Sequence, residues 1–117
     1  MPKFMFLLYS PPEVRADPEA RAGFDEWVGY GRALHEAGVH VGDNPLQGLE
    51  TATTVRVRDG ETLIADGPFA ETKEMLGGYY LVDLPSREAA IDWAARVPNA
   101  PYGSVEIRPV MELPDLP

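Results

Sequence analysis

The chain contains no cysteine at all. Disulfide scaffolds, thiolate metal sites and cysteine nucleophiles are therefore excluded, while the redox compartment is only weakly constrained. Histidine is nearly absent too: His35 and His40 are the only two, and they straddle a predicted helix end with no HExxH or facial-triad spacing around them. No metal site is expected from that pattern. Basic residues are scarce, ten against nineteen acidic, for a net charge of −9. Nucleic-acid phosphates and anionic membranes would be repelled at long range, so neither is an expected partner. No long hydrophobic run exists: the apolar stretch from Phe4 to Tyr9 is too short for a signal core or a membrane span, and no small-residue cleavage site follows. A cytoplasmic location is the expectation. No glycine pair lies in a phosphate-cradling pattern and no serine in a nucleophile elbow, which speaks against nucleotide binding and that kind of hydrolase.

What remains is a chain of 117 residues, enough for one core and too few for two, so residues 1–117 read as a single domain. Residues 3–9 are short, apolar and stopped by Ser10-Pro11-Pro12, which suits a buried strand. A helix is predicted from Asp17-Pro18, with aspartate as N-cap and proline at the first helical position, running to Gly38. Ala20, Phe24, Trp27, Val28, Gly31 and Leu34 give it one apolar face. A short strand follows over 39–43. Residues 53–58 and 61–66 flank Asp59-Gly60, the strongest hairpin signal here. Residues 77–84 form another apolar strand. Ser86 caps a second helix with Ala90, Ile91, Ala94 and Val97 inward, and 104–111 alternates as a last strand.

The order β-α-β, hairpin, β-α-β predicts an α+β fold: a ferredoxin-like βαββαβ arrangement with an inserted β-hairpin and both helices on one sheet face. The first and third long strands are apolar at nearly every position, so both sheet faces call for burial. Two helices cover one face only. A second copy related by a two-fold axis would cover the other, giving a homodimeric α/β barrel with a cavity between the sheets.

The densest chemistry lies in Asp66-Gly67-Pro68-Phe69-Ala70-Glu71-Thr72-Lys73-Glu74. Asp66, at a strand end near the cavity mouth, is the candidate catalytic acid or base; equally, it accepts backbone N–H bonds and fixes the Gly-Pro turn. Lys73 is a candidate anchor for a ligand carboxylate or phosphate and Glu71 shares its loop; the alternative for both is a solvated face or an ion pair across the dimer. Phe69 is read as a core plug beneath the loop, with ligand stacking as the other role. Tyr9, Tyr79 and Tyr80 fit a barrel wall, and a hydroxyl among them is free to reach the cavity. Gly77-Gly78 signals close backbone approach, to a neighbouring strand or to a ligand.

The run TATTVRVRDGETLIADGPFAETKEMLGGYYLVDL, the ending AAIDWAARVPNAPYGSVEIRPVM and residues 3–9 together resemble the YCII-related family, in its DGPF subgroup. The resemblance implies a ferredoxin-like dimeric α/β barrel and no defined reaction. It leaves two functions open. One is a homodimer that binds a small organic molecule between its sheets, with cofactor-free acid/base chemistry. The other is a non-catalytic regulatory or protein-interaction module, since some relatives are associated with extracytoplasmic-function sigma factors. Simpler relatives carry a histidine on the first helix and an aspartate beyond it as a possible catalytic pair. Here Trp27 stands at the histidine's register, so that pair does not carry over.

Overall fold

The structure is a computed structural model that describes residues 1–70 and 72–114. In chain order it contains β1 (Lys3–Ser10), α1 (Pro12–Arg15), α2 (Phe24–Glu36), β2 (His40–Pro45), a 3-10 turn at Leu49–Thr51, β3 (Thr53–Arg58), β4 (Glu61–Asp66), β5 (Met75–Asp83), α3 (Arg87–Ala94) and β6 (Ser104–Pro109). Four strands form one antiparallel sheet in the order β2-β5-β1-β6, and β3 pairs with β4 as a separate two-stranded sheet. The architecture is mixed α+β, compatible with a ferredoxin-like arrangement.

The two most apolar strands, β1 and β5, occupy the sheet centre and pair Phe6 with Tyr80 and Phe4 with Val82. Alternate residues along them, Phe4, Phe6, Leu8, Tyr80 and Val82, are buried against Tyr30 and Leu34 of α2 and Ala90 and Ala94 of α3. Val105 and Ile107 of β6 close that layer. Each large side chain fully withdrawn from water there stabilises the fold by roughly 1.5–3 kcal/mol. The intervening residues, Met5, Leu7, Tyr9, Tyr79 and Leu81, share the opposite sheet face and are half-buried.

Local signals account for most boundaries. Gly38 takes φ 72° just past α2, where its N–H and that of Val39 bond back to His35 and Leu34, a Schellman-type ending. Asp59 and Gly60 both have positive φ, 51° and 78°, as a two-residue type I′ hairpin requires. The Ser86 hydroxyl accepts the Ala89 N–H at 3.1 Å and starts α3.

Three sequence expectations need correction. The first long helix begins at Phe24 rather than at Asp17-Pro18. The Asp17 carboxylate accepts the Glu19 N–H at 3.0 Å and makes a local turn instead, while Glu26 reaches back to the Gly23 N–H at 2.7 Å and fixes the true start. Ala20 therefore lies off the helix, and Phe24 is 81% exposed; the core side of α2 is Tyr30 and Leu34. On α3 the inward residues are Ala90 and Ala94, with Ile91 turned to solvent, and the helix ends before Val97, which is buried in the turn that follows.

Candidate functional site

A cleft of about 710 Å³ opens at one end of the four-stranded sheet. Its floor is Leu8 and Ser10 of β1 with Gly77 to Tyr80 of β5, and one wall is Asp43 to Pro45 at the end of β2. The opposite wall is a stripe of α2, Phe24, Trp27, Val28 and Gly31, adjacent to the stripe that enters the core. Arg15, Pro18, Arg21 and Ala22, from the segment between β1 and α2, complete the rim, with Asn99 and Tyr102 from the turn before β6.

The glycines explain how these parts come together. A Cβ on Gly78 would lie 2.9 Å from the Asn44 carbonyl oxygen, and one on Gly77 would lie 3.1 Å from an Arg15 guanidinium nitrogen. Their absence lets β2 and Arg15 close over β5, and Leu46 N–H bonds the Gly77 carbonyl at 2.8 Å. The close approach signalled by Gly77-Gly78 is thus to a neighbouring strand. Arg15 donates to the Leu46 carbonyl, Arg21 donates to the Arg15 carbonyl at 3.0 Å, and Ala22 N–H donates to the Tyr102 hydroxyl at 3.1 Å. The rim is held by hydrogen bonds from both sides.

Tyr80 lines the cleft, and Tyr30 packs behind it. Burial, and secondarily the Asp43 carboxylate, pushes Tyr80 up to about 12. Burial also raises Tyr30, whose hydroxyl donates to the Trp93 carbonyl at 2.9 Å and whose ring meets Tyr80 edge-on at 5.2 Å. Both are neutral hydrogen-bonding groups at physiological pH. Asp43 is within 2.5 Å of His40 Nε2, and the His40 ring stacks on His35 at 3.9 Å. The chain reversal at Gly38 makes that contact, which the spacing of the two histidines does not reveal. Among the described residues no cluster of three or more histidine, aspartate and glutamate side chains is arranged to hold a metal. Asn99 is 2% exposed; its amide donates to the Tyr9 carbonyl at 2.9 Å, and its Oδ1 has no partner.

Of the residues singled out from sequence, Tyr79 borders this cleft along β5, while its hydroxyl, on the sheet face that neither helix covers, accepts the Asn44 amide at 2.8 Å. Tyr9 instead donates to Glu106 across the β1–β6 seam at 3.3 Å, and its pKa is raised by burial and by that carboxylate. Asp66 ends β4 opposite Thr53 and is exposed, as is Lys73; neither lines the cleft. Phe69 does not plug the core: it is 78% exposed, with the Arg56 guanidinium 5.3 Å from its ring centre. The hairpin carries it beyond reach of the helix-covered layer. Glu71 lies outside the described residues. Sequence reasoning missed Arg15, Arg21, Asp43, Asn99 and Tyr102. Reading 17–22 as helix concealed Arg21, and the advance signal for this region was the Gly77-Gly78 pair, both of which line the cleft.

The family model for the YCII-related domain matches residues 3–114. An uncharacterized protein of Rhizobium meliloti (strain 1021) is 51% identical over 61 residues, 50% of this chain and 49% of that protein. The chain thus spans about half the length of the curated relative it matches.

Proposed function

The chain belongs to the YCII-related family, and we propose that it is a cytoplasmic homodimer of the DGPF subgroup, with a ferredoxin-like dimeric barrel fold, that binds a small organic molecule. The ligand occupies the cleft between α2 and the end of the four-stranded sheet rather than a space between two sheets. One observation carries this reading: a concave site of about 710 Å³, within the size range of small-molecule pockets, where aromatic walls and several polar groups converge. Asp43, hydrogen-bonded to His40, is the group placed for cofactor-free proton transfer there. The half-buried face of Met5, Leu7, Tyr9, Tyr79 and Leu81 supports the dimer, because neither helix covers it.

Gly31 supplies the test. A Cβ built on it meets nothing within 4 Å, and it lines the cleft. Gly31→Leu should fill the site while leaving the fold intact, since glycine inside a helix is the less stable choice by about 1 kcal/mol. A thermal-shift screen against a metabolite library should find compounds that raise the melting temperature of wild type and leave that of Gly31→Leu unchanged. Equal responses from the two proteins, or no responses from wild type, would end the reading. Light scattering checks the dimer, and a monomer at micromolar concentration would refute it.

A second reading, a protein-interaction module, draws on a different observation: Val55, Val57, Ile64 and Phe69 are all exposed around the hairpin that also carries Asp66 and leads towards Lys73. On that reading the loop from Pro68 to Met75 contacts a protein partner or stabilises the dimer.

A further inference from the structure

We infer that the molecule taken into the cleft is a small organic oxyanion, a carboxylate or a phosphate ester, with a flat apolar body and a hydrogen-bond donor. This rests on the small-molecule reading above and specifies what that site selects. Eight arginines stand against nineteen acidic residues in this chain, and two of them meet at one cleft. Among the described residues, neither Arg15 nor Arg21 has a carboxylate within 4.0 Å; the ion pairs found are Lys3–Asp83 and His40–Asp43. A guanidinium carries five N–H donors, and among the described residues each of these two makes one hydrogen bond, to a backbone carbonyl that orients it. Arg15 is half-buried, where an uncompensated cation is costly, so an anion arriving beside it meets a preset charge and open donors.

The remaining lining supplies the rest of the specification. Phe24 and Trp27 present ring surface to the cleft one helical turn apart, and Phe24 has little else to pack on. The glycines opposite keep the floor flat. The buried Asn99 Oδ1 lacks a donor, and Asp43 is also an acceptor. A second negative group beside the Asp43 carboxylate would be repelled, whereas a hydroxyl or N–H would be bound there. The site therefore suits an asymmetric ligand such as a hydroxyaryl acid.

The test is calorimetric titration of the full chain with 4-hydroxybenzoate, 4-hydroxyphenyl phosphate and the neutral methyl 4-hydroxybenzoate. At least one anion should bind about tenfold or more tightly than the ester, by an amount that falls with salt. Arg15→Gln combined with Arg21→Gln should weaken that anion by about tenfold or more and leave the ester unchanged. Arg21→Gln alone, at an exposed position, gives the same direction if the double variant does not fold. Which anion prefers wild type separates carboxylate from phosphate. Failure of both anions to bind at millimolar concentration, equal binding of ester and anions, or an undiminished anion in the arginine variants overturns the inference. The cleft reading fails separately, through the Gly31→Leu comparison in the library screen.

Discussion

The four-stranded sheet and the β3–β4 pair are built from the same kind of residues and reach opposite environments. Phe6 of β1 is 0% exposed, while Ile64 of β4 is 69% exposed, although both sit in strands with apolar cross-strand partners. β1 and β5 lie at the centre of a sheet with two helices over one face; β3 and β4 have only each other, and no residue of β4 is buried. A short apolar run is thus sufficient to specify a strand, and burial depends on what arrives from elsewhere in the chain. Two strands alone are marginal in water. The hairpin base is fastened by the Gly67 N–H on the Ala52 carbonyl at 2.7 Å and the Thr54 hydroxyl on the Gly67 carbonyl at 2.9 Å.

The sharpest way to break this contrast is Phe6→Ala, which should cost about 3–5 kcal/mol in urea unfolding because the site cannot collapse. A loss below about 1 kcal/mol would mean that the sheet centre is not the core. Alkaline titration probes the same layer. Tyr80 holds its proton to about 12 when folded, against 10.0 ordinarily, and the unfolded chain releases it first. The associated stability is therefore whole below pH 10 and is lost as pH rises through about 12. Tyr80→Phe should flatten that alkaline loss, and an unchanged profile would assign it elsewhere. Ser86→Ala should cost about 1 kcal/mol by removing the N-cap of α3. At the other extreme, Ile64→Thr should alter stability by less than about 0.5 kcal/mol at any protein concentration. A larger loss that grows on dilution would show the hairpin docked on a second copy.

Features spanning a few residues were legible in the sequence: the Asp59-Gly60 turn, the Ser86 cap, the glycine after α2, and the apolar centre of β1 and β5. In the turn and the two helix ends the partner groups lie within about one turn, so local chemistry carries the information, and in β1 and β5 it is carried by the run of apolar residues itself. The start of α2 was misread because two N-caps competed. Asp17-Pro18 has the composition of a helix start, but Gly23 has Glu26 three residues on to close the capping interaction. The cleft was not legible. Its lining runs from Leu8 to Tyr102 and draws on β1, β2, β5, α2 and two connecting segments, so no window of sequence contains it. The charged loop attracted attention because its chemistry is contiguous, whereas the arginines, Asp43 and Asn99 become neighbours only after the chain reverses several times.

The sequence alone determined which segments become strands and helices, where most of them stop, and that both faces of the central sheet are apolar. Those outcomes depend on backbone preferences and periodicity, which act over a few residues. Tertiary structure decided which apolar strands are covered, that α2 shows one stripe to the core and another to a cleft, and which distant polar groups share that cleft. Those outcomes depend on packing between elements far apart in the chain, where a missing Cβ on Gly77 or Gly78 sets how closely two backbones approach.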